Sequence, residues 1–442
     1  MAEAAVGRAH SPERIPLHVW VILAGLIASV FSGYGSEMGL PVSPDRPLLL
    51  VGLLLLALHR GRDRLRWSPV YAAMAFVVVA TLFSWLGTGS LGDDYQLFGF
   101  IDRIVMPFAM FVAGCLTFTT PLRRLLVSRV GSVLGVYLVV MGLQQLVGTT
   151  ALLFPRYLAR YADAGERVVG PFGNSEAFGM ACALTLALGI LGALRDRGWW
   201  RAMAWLGIVA SSVGVVVSMT RSVWLAALLG LIVWAVVEPR VRRLAPWAVA
   251  LGVGALALVT SVLPDLLAAL VDRLTTTRSL YDRDYVNEAA LRVIAEHPWG
   301  GIGWLRFVEE NVLWVRQADD YPITTVTIEV HNVFLSRAAE TGIPAAIAWG
   351  LAMLLGPMRS ALAIPATAES RAWKAVAWSA LLVWIFPTML SPNPYVFPNL
   401  LIWMIGGIAG RGILLAREVP RAREIASAGS TERVTGLSPA RC

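Results

Sequence analysis

A chain of 442 residues with 57% hydrophobic and only 15% charged residues does not have the make-up of a soluble protein, where about a quarter of residues are charged. The formal charge of +8 is carried almost wholly by arginine, with Lys374 the only lysine. In a soluble protein that balance would point to nucleic acid. Here the arginines fall in short gaps between apolar runs, which is orientation signalling in a polytopic membrane protein. Cys115, Cys182 and Cys442 have no metal or redox spacing and receive no role.

In chain order, residues 1–16 form a polar tail, and the first apolar run, Leu17 to Tyr34, lacks a small-residue cleavage site. It reads as a first span rather than a cleaved signal. A proline-containing turn leads to a short span 2, Pro47 to Leu58, followed at once by Arg60, Arg62, Arg64 and Arg66. Span 3 is expected at Pro69 to Gly87, and span 4 at Ile104 to Phe118 after a gap holding Asp93, Asp94, Asp102 and Arg103. A gap with Arg123, Arg124 and Arg129 precedes span 5, Val130 to Leu153. The loop Phe154 to Asn174 contains the turn-like Gly170-Pro171-Phe172-Gly173-Asn174. Span 6 follows from Ser175 to Leu194, and span 7 from Ala202 to Met219. Span 8 starts almost immediately after Thr220-Arg221-Ser222 and reaches Val237, so this boundary is the least distinct. Span 9 is placed at Pro246 to Leu263, span 10 at Asn332 to Leu355, span 11 at Ala375 to Leu390 and span 12 at Phe397 to Leu415. The tail 416–442 is polar and reads as disordered.

The expected fold is therefore all-α, with about twelve transmembrane helices over residues 17–415. Five short basic gaps, at 60–66, 123–129, 195–201, 240–243 and 359–374, fall on the same side as both tails. The positive-inside rule makes that side cytoplasmic. It leaves the long polar segment 264–331, the Pro171 loop and Arg221 outside. A loop of that length between spans usually carries function.

Arg221 stands between two apolar runs on the outer side, where orientation signalling gives no reason for it. An arginine at such depth is kept for a site or a water-filled cavity, and its planar fork suits phosphate oxygens. The plain alternative is a snorkelling helix-end residue. His331, at the junction of the long loop and span 10, is able to take a proton from an attacking hydroxyl; equally it could cap a helix. Arg278 and Arg283 precede an amphipathic segment, Tyr285 to Ala295, which reads as a short helix at the membrane surface. Pro298 breaks it, and Gly300, Gly301 and Gly303 form a tight turn just before Arg306. Clustered outer cations imply an anionic group, either a lipid-linked diphosphate or phospholipid headgroups. No carboxylate, His or Cys cluster has metal-ligand spacing, so no metal and no cofactor are expected.

Together these segments resemble the O-antigen ligase and polysaccharide polymerase superfamily of bacterial inner-membrane glycosyltransferases. The resemblance lies in Gly170 to Asn174, in Ser218-Met219-Thr220-Arg221-Ser222-Val223-Trp224, and in Arg283 with Ala289-Ala290-Leu291. It continues through His297-Pro298-Trp299-Gly300-Gly301-Ile302-Gly303 and His331-Asn332 with Leu335, Glu340, Thr341 and Gly342. One departure is Asn287, four after Arg283, where the family often has Trp; it leaves Arg278 as a competing register. The resemblance implies that Arg221 and Arg283 hold the diphosphate of an undecaprenyl-linked glycan and that His331 activates an acceptor hydroxyl. Arg278, Arg306, Asn174 and Asn332 are expected to help bind diphosphate or glycan. It further implies inverting, metal-independent transfer to a glycan, lipid or protein acceptor, in the bacterial cell membrane and without nucleic acid. A transporter or flippase of lipid-linked sugars is the alternative from another class. It would require two halves with matching broken helices, and the long loop occurs once. A protein O-oligosaccharyltransferase is the alternative within the superfamily.

Overall fold

The computed structural model describes residues 13–34, 39–40, 42–59, 64–87, 93–161, 167–247, 250, 268, 271, 278–316, 329–365, 367 and 370–415. Among these the chain is all helical, with one isolated bridge, Leu65 to Leu415, outside the helices. The helices are α1 (Leu17–Ala28, continued by a 3-10 turn), α2 (Asp45–Leu58), α3 (Pro69–Gly87), α4 (Asp94–Phe100) and α5 (Met106–Thr117). They continue with α6 (Pro121–Val147), α7 (Ser175–Arg195), α8 (Gly198–Val217), α9 (Arg221–Val237), α10 (Arg278–Glu296) and α11 (Phe307–Glu310). The last are α12 (Val333–Thr341), α13 (Ile343–Met353), α14 (Arg359–Ala363), α15 (Arg371–Thr388) and α16 (Val396–Leu414).

Seven helical stretches among the described residues are long and apolar enough to cross a membrane. They are α3, α4 with α5, α6, α7, α8, α13 with α14, and α16; the apolar helices Leu17–Gly33 and α9 are shorter. Every expected span has a helix except span 9, which lies almost wholly outside the described residues, as do parts of the segment 264–331, 317–328 among them. α7 is buried nearly all round and packs against α6, α8 and α15. α5 and α16 cross so closely that a Cβ on Gly114 or Gly407 would overlap the other helix's backbone. Small residues that let backbones approach are the usual device where water supplies no driving force.

Several boundaries depart from the sequence reading. The gap expected at Asp94, Asp102 and Arg103 is helical: α4 runs into α5 through a π turn, Ile101–Val105. Asp102 and Arg103 are paired, with Arg46 reaching Asp102 at 2.7 Å and Arg103 reaching Glu329 at 2.8 Å. Pairing removes the need for water that makes charged stretches look like loops. α6 likewise begins at Pro121, capped by Thr120, and takes in Arg123, Arg124 and Arg129. At 27 residues it is about 40 Å long, which exceeds the roughly 30 Å apolar core of a bilayer. Its polar first turns are the surplus. The amphipathic segment is also longer than expected, running from Arg278 to Glu296.

Span 10 is two helices rather than one. α12 has only nine residues, about 13 Å, too short to cross a bilayer. Gly342, with φ of 87°, ends it, and α13 restarts with Pro344 in its first turn. A second, smaller core joins α10, α11 and α12 through Val286, Ala289, Ala290, Val293, Phe307, Val330 and Ala339.

The basic start of α6 and the end of α7 meet at one end of the bundle. Arg123 pairs with Glu13 at 3.0 Å, Arg129 with Asp196 at 2.6 Å, and the Arg66 amide donates to the Leu414 carbonyl at 2.7 Å. The candidate site residues are carried by helix ends that point the other way.

Candidate active site

The first turn of α7 is the centre of this end. Asn174 caps it, its Oδ1 accepting from the amides of Glu176 at 2.8 Å and Ala177 at 3.1 Å. The preceding turn is fixed from α6, where Gln145 Oε1 accepts from Gly170 at 2.9 Å. Glu176 then receives a hydrogen bond from the Tyr395 hydroxyl at 3.1 Å, with buried Ser391 beside both. Arg283 of α10 lies within electrostatic reach of Glu176. Along α10, Arg283 shares a face with Val286, Ala290 and Val293, all buried, which sets that face against α11 and α12. Asn287, one turn on, has a buried Oδ1 with no hydrogen-bond partner among the described residues.

Arg221 arrives from the other side of α7. The chain turns at Ser218, Met219 and Thr220, with Met219 at a φ of 47°. Ser218 Oγ donates to the Val215 carbonyl at 2.7 Å and Trp224 Nε1 to the same carbonyl at 2.8 Å. Gly179, one turn along α7 from Glu176, admits this turn: a Cβ there would lie 2.7 Å from Ser218 Oγ. Arg221 is thus the first residue of α9 and half-buried, and spans 7 and 8 are separate helices. A cation at a helix N-terminus opposes the helix dipole, so the dipole gives no reason for an arginine at that place. Arginine and free helix amides together favour an anion.

His331 lies in the segment 329–332. Asn332 caps α12, its Oδ1 accepting from Phe334 at 3.0 Å and Leu335 at 3.2 Å, while its Nδ2 faces the Met389 carbonyl at 3.5 Å. Met389 and Tyr395 both belong to the connection between α15 and α16. The segments carrying Arg221, Arg283 and His331 therefore converge on the start of α7 and on residues 389–395.

The other expected ligands stand differently. The side-chain oxygens of Asn174 and Asn332 serve as helix caps, so their contribution to the site is to place neighbours. Arg306 belongs elsewhere: it pairs with Glu310 at 2.9 Å and borders a cleft of about 760 Å³ between Phe76, Phe83 and Ser84 of α3 and the turn Trp299 to Gly303. Arg278 opens α10, and its side chain lies outside the described residues. The His297 to Gly303 segment is a clamp. Ile302 donates to Ala339 at 2.9 Å, Gly303 to Glu340 at 3.1 Å, and Ile343 to Pro298 at 2.8 Å, so the turn grips the broken end of α12.

Behind α12 is a buried charge cluster that sequence reasoning did not assemble. Arg103 holds Glu329 with two hydrogen bonds, 2.8 and 2.9 Å, and Tyr95 donates to the same carboxylate at 3.0 Å. Burial pushes the Glu329 carboxyl up, but Arg103 outweighs it and holds the group below the usual range. Arg337 lies over Trp304 at 4.6 Å and only 3.5 Å from Glu340. That looser pair does not offset burial, which raises Glu340 to about 7 and lowers Arg337 to about 10. The sequence signal was Arg337 and Glu340 three apart on a short helix. Glu176 and Tyr395 gave no such signal, being 219 residues apart. Among the described residues no three His, Cys, Asp or Glu side chains group to hold a metal ion.

Fold and site define a multi-pass membrane protein with arginines and a histidine gathered at one end of its bundle. Residues 206–350 match the family model described as O-antigen ligase, and the chain carries that domain there. The match supports the O-antigen ligase and polymerase superfamily and, in general, glycosyl transfer of that type. It spans Arg221, Arg278, Arg283, Arg306, His331 and Asn332, while Asn174 and Glu176 precede it. Comparison with curated proteins finds no match.

Proposed function

We propose that the protein transfers a glycan from an undecaprenyl-diphosphate-linked donor to an acceptor hydroxyl at the outer face of a bacterial cell membrane. The observation that carries this reading is the convergence of the segments bearing Arg221, Arg283 and His331 around the first turn of α7. Arg221 and the amides opening α9 receive one phosphate, and Arg283 the other. His331 takes the proton as the acceptor oxygen attacks the anomeric carbon. The anomeric carbon–oxygen bond to the diphosphate breaks, and the lipid diphosphate leaves with the electron pair. Attack opposite the leaving group inverts the anomeric centre. The diphosphate is a stable anion, so the protein need only neutralise its developing charge and remove one proton. No metal or cofactor is assigned a part. The acceptor is a glycan, lipid or protein hydroxyl.

The test is transfer by purified protein in lipid, with a defined lipid-diphosphate glycan and acceptor. His331→Ala should abolish most transfer while leaving donor binding largely intact, because a base acts mainly on rate. Transfer should survive a chelator such as EDTA. Near-normal turnover by folded His331→Ala, or activity lost to chelator and restored by magnesium, would overturn the mechanism. A reporter active only outside should be active when fused after Asp320 and silent after Arg243.

A further inference from the structure

We propose that Arg103 is a positioning residue for His331, acting through Glu329; this rests on the role given to His331 above. In the tetrapeptide Glu329-Val330-His331-Asn332, the three residues around the histidine are each anchored. Val330 is buried in the small core with Val286, Val293 and Phe307. Asn332 caps α12 and faces the Met389 carbonyl. Glu329 is clamped by Arg103 in a two-pronged ion pair, with side chains only 8% and 19% exposed, and by the Tyr95 hydroxyl. Three anchors on three different partners fix where the fourth residue stands.

The clamp comes from an irregularity in the helix. Asp102 and Arg103 lie in the π turn, Ile101–Val105. Asp102 goes to Arg46 of α2, and Arg103 goes across to the segment before α12. A π turn inside an otherwise regular helix is rare and is found often at functional sites. A buried ion pair is also a poor way to gain stability, since apolar residues of the same volume commonly do as well or better. What the pair supplies is direction: a planar fork meeting a carboxylate fixes both groups in angle as well as distance.

The experiment measures kcat, acceptor KM and donor binding per folded molecule for Arg103→Lys, Arg103→Ala and Glu329→Gln, beside His331→Ala. A shift of about 1 Å in a reacting group lowers the rate on the order of a hundredfold. We expect losses of that order in kcat for Arg103→Ala and Glu329→Gln, with donor binding unchanged. Arg103→Lys, which keeps the charge but not the fork, should fall between these and the parent. The exchange Arg103→Glu with Glu329→Arg should recover part of the lost kcat. A merely structural pair would instead lower the yield of folded protein and leave kcat intact. Wild-type kcat in folded Arg103→Lys and Glu329→Gln, with His331→Ala inactive, overturns the positioning role alone. Full turnover by His331→Ala overturns the role of His331 and this inference with it.

Discussion

Two neighbouring glycines in the turn that grips α12 should respond very unequally to the same substitution. Gly301 has a φ of 64°, and a Cβ there would overlap the backbone of Ala339 and Glu340. Gly300 has nothing within 4 Å of where a Cβ would stand. For Gly301→Ala the left-handed conformation costs about 1–2 kcal/mol. Overpacking against rigid backbone adds roughly 1–3 kcal/mol. The sum is about 2–5 kcal/mol, enough to detach the turn and lose the amide bonds from Ile302 and Gly303 to α12. Gly300→Ala should stay within about 0.5 kcal/mol, as exposed positions generally do. The assay is thermal unfolding of both variants in the same lipid or detergent, followed by turnover per folded molecule. Gly301→Ala should melt lower and turn over more slowly, because α12 carries His331 at its other end. Equal melting and equal turnover for the two variants would refute the clamp.

Asn332→Asp keeps an acceptor for the Phe334 and Leu335 amides and should retain most activity, whereas Asn332→Ala should lose about 1 kcal/mol of stability. Loss of donor binding in a stable Asn332→Asp would instead make the amide a ligand. Arg221→Lys keeps the charge but not the planar fork, and donor binding and turnover should both fall steeply; parent-like kinetics would refute bidentate anion contact. Glu340 is raised to about 7 from an ordinary 4.5, so the folded state holds its proton through that window while the unfolded state releases it. Stability should therefore decline as pH rises from 4.5 to 7, and Glu340→Gln should flatten melting temperature against pH there. An unchanged slope in the variant would assign it to another group.

The apolar runs were legible because bilayer thickness and helix rise fix how long they must be. Arg221 was legible for a related reason: one charge among apolar neighbours has few explanations. The paired charges were not legible. Asp102 and Arg103 look like a loop in one dimension because their partners, Arg46 and Glu329, lie 56 and 226 positions away. The break at Gly342 was written as Gly-Ile-Pro, yet the apolar runs Val333–Leu335 and Ala345–Leu355 on either side hid it inside a span. Glu176 was invisible as a site residue because a single acid in a capped first turn is also what a helix dipole favours.

α12 is fastened at both ends, by Asn332 at the start and by the turn 298–303 at the finish. A rod held so behaves as a crossbar: it shifts whole or not at all. The cleft against α3 is bounded by that same turn, and His331 sits at the crossbar's far tip. Loosening that turn would therefore be felt at the histidine through the helix between them.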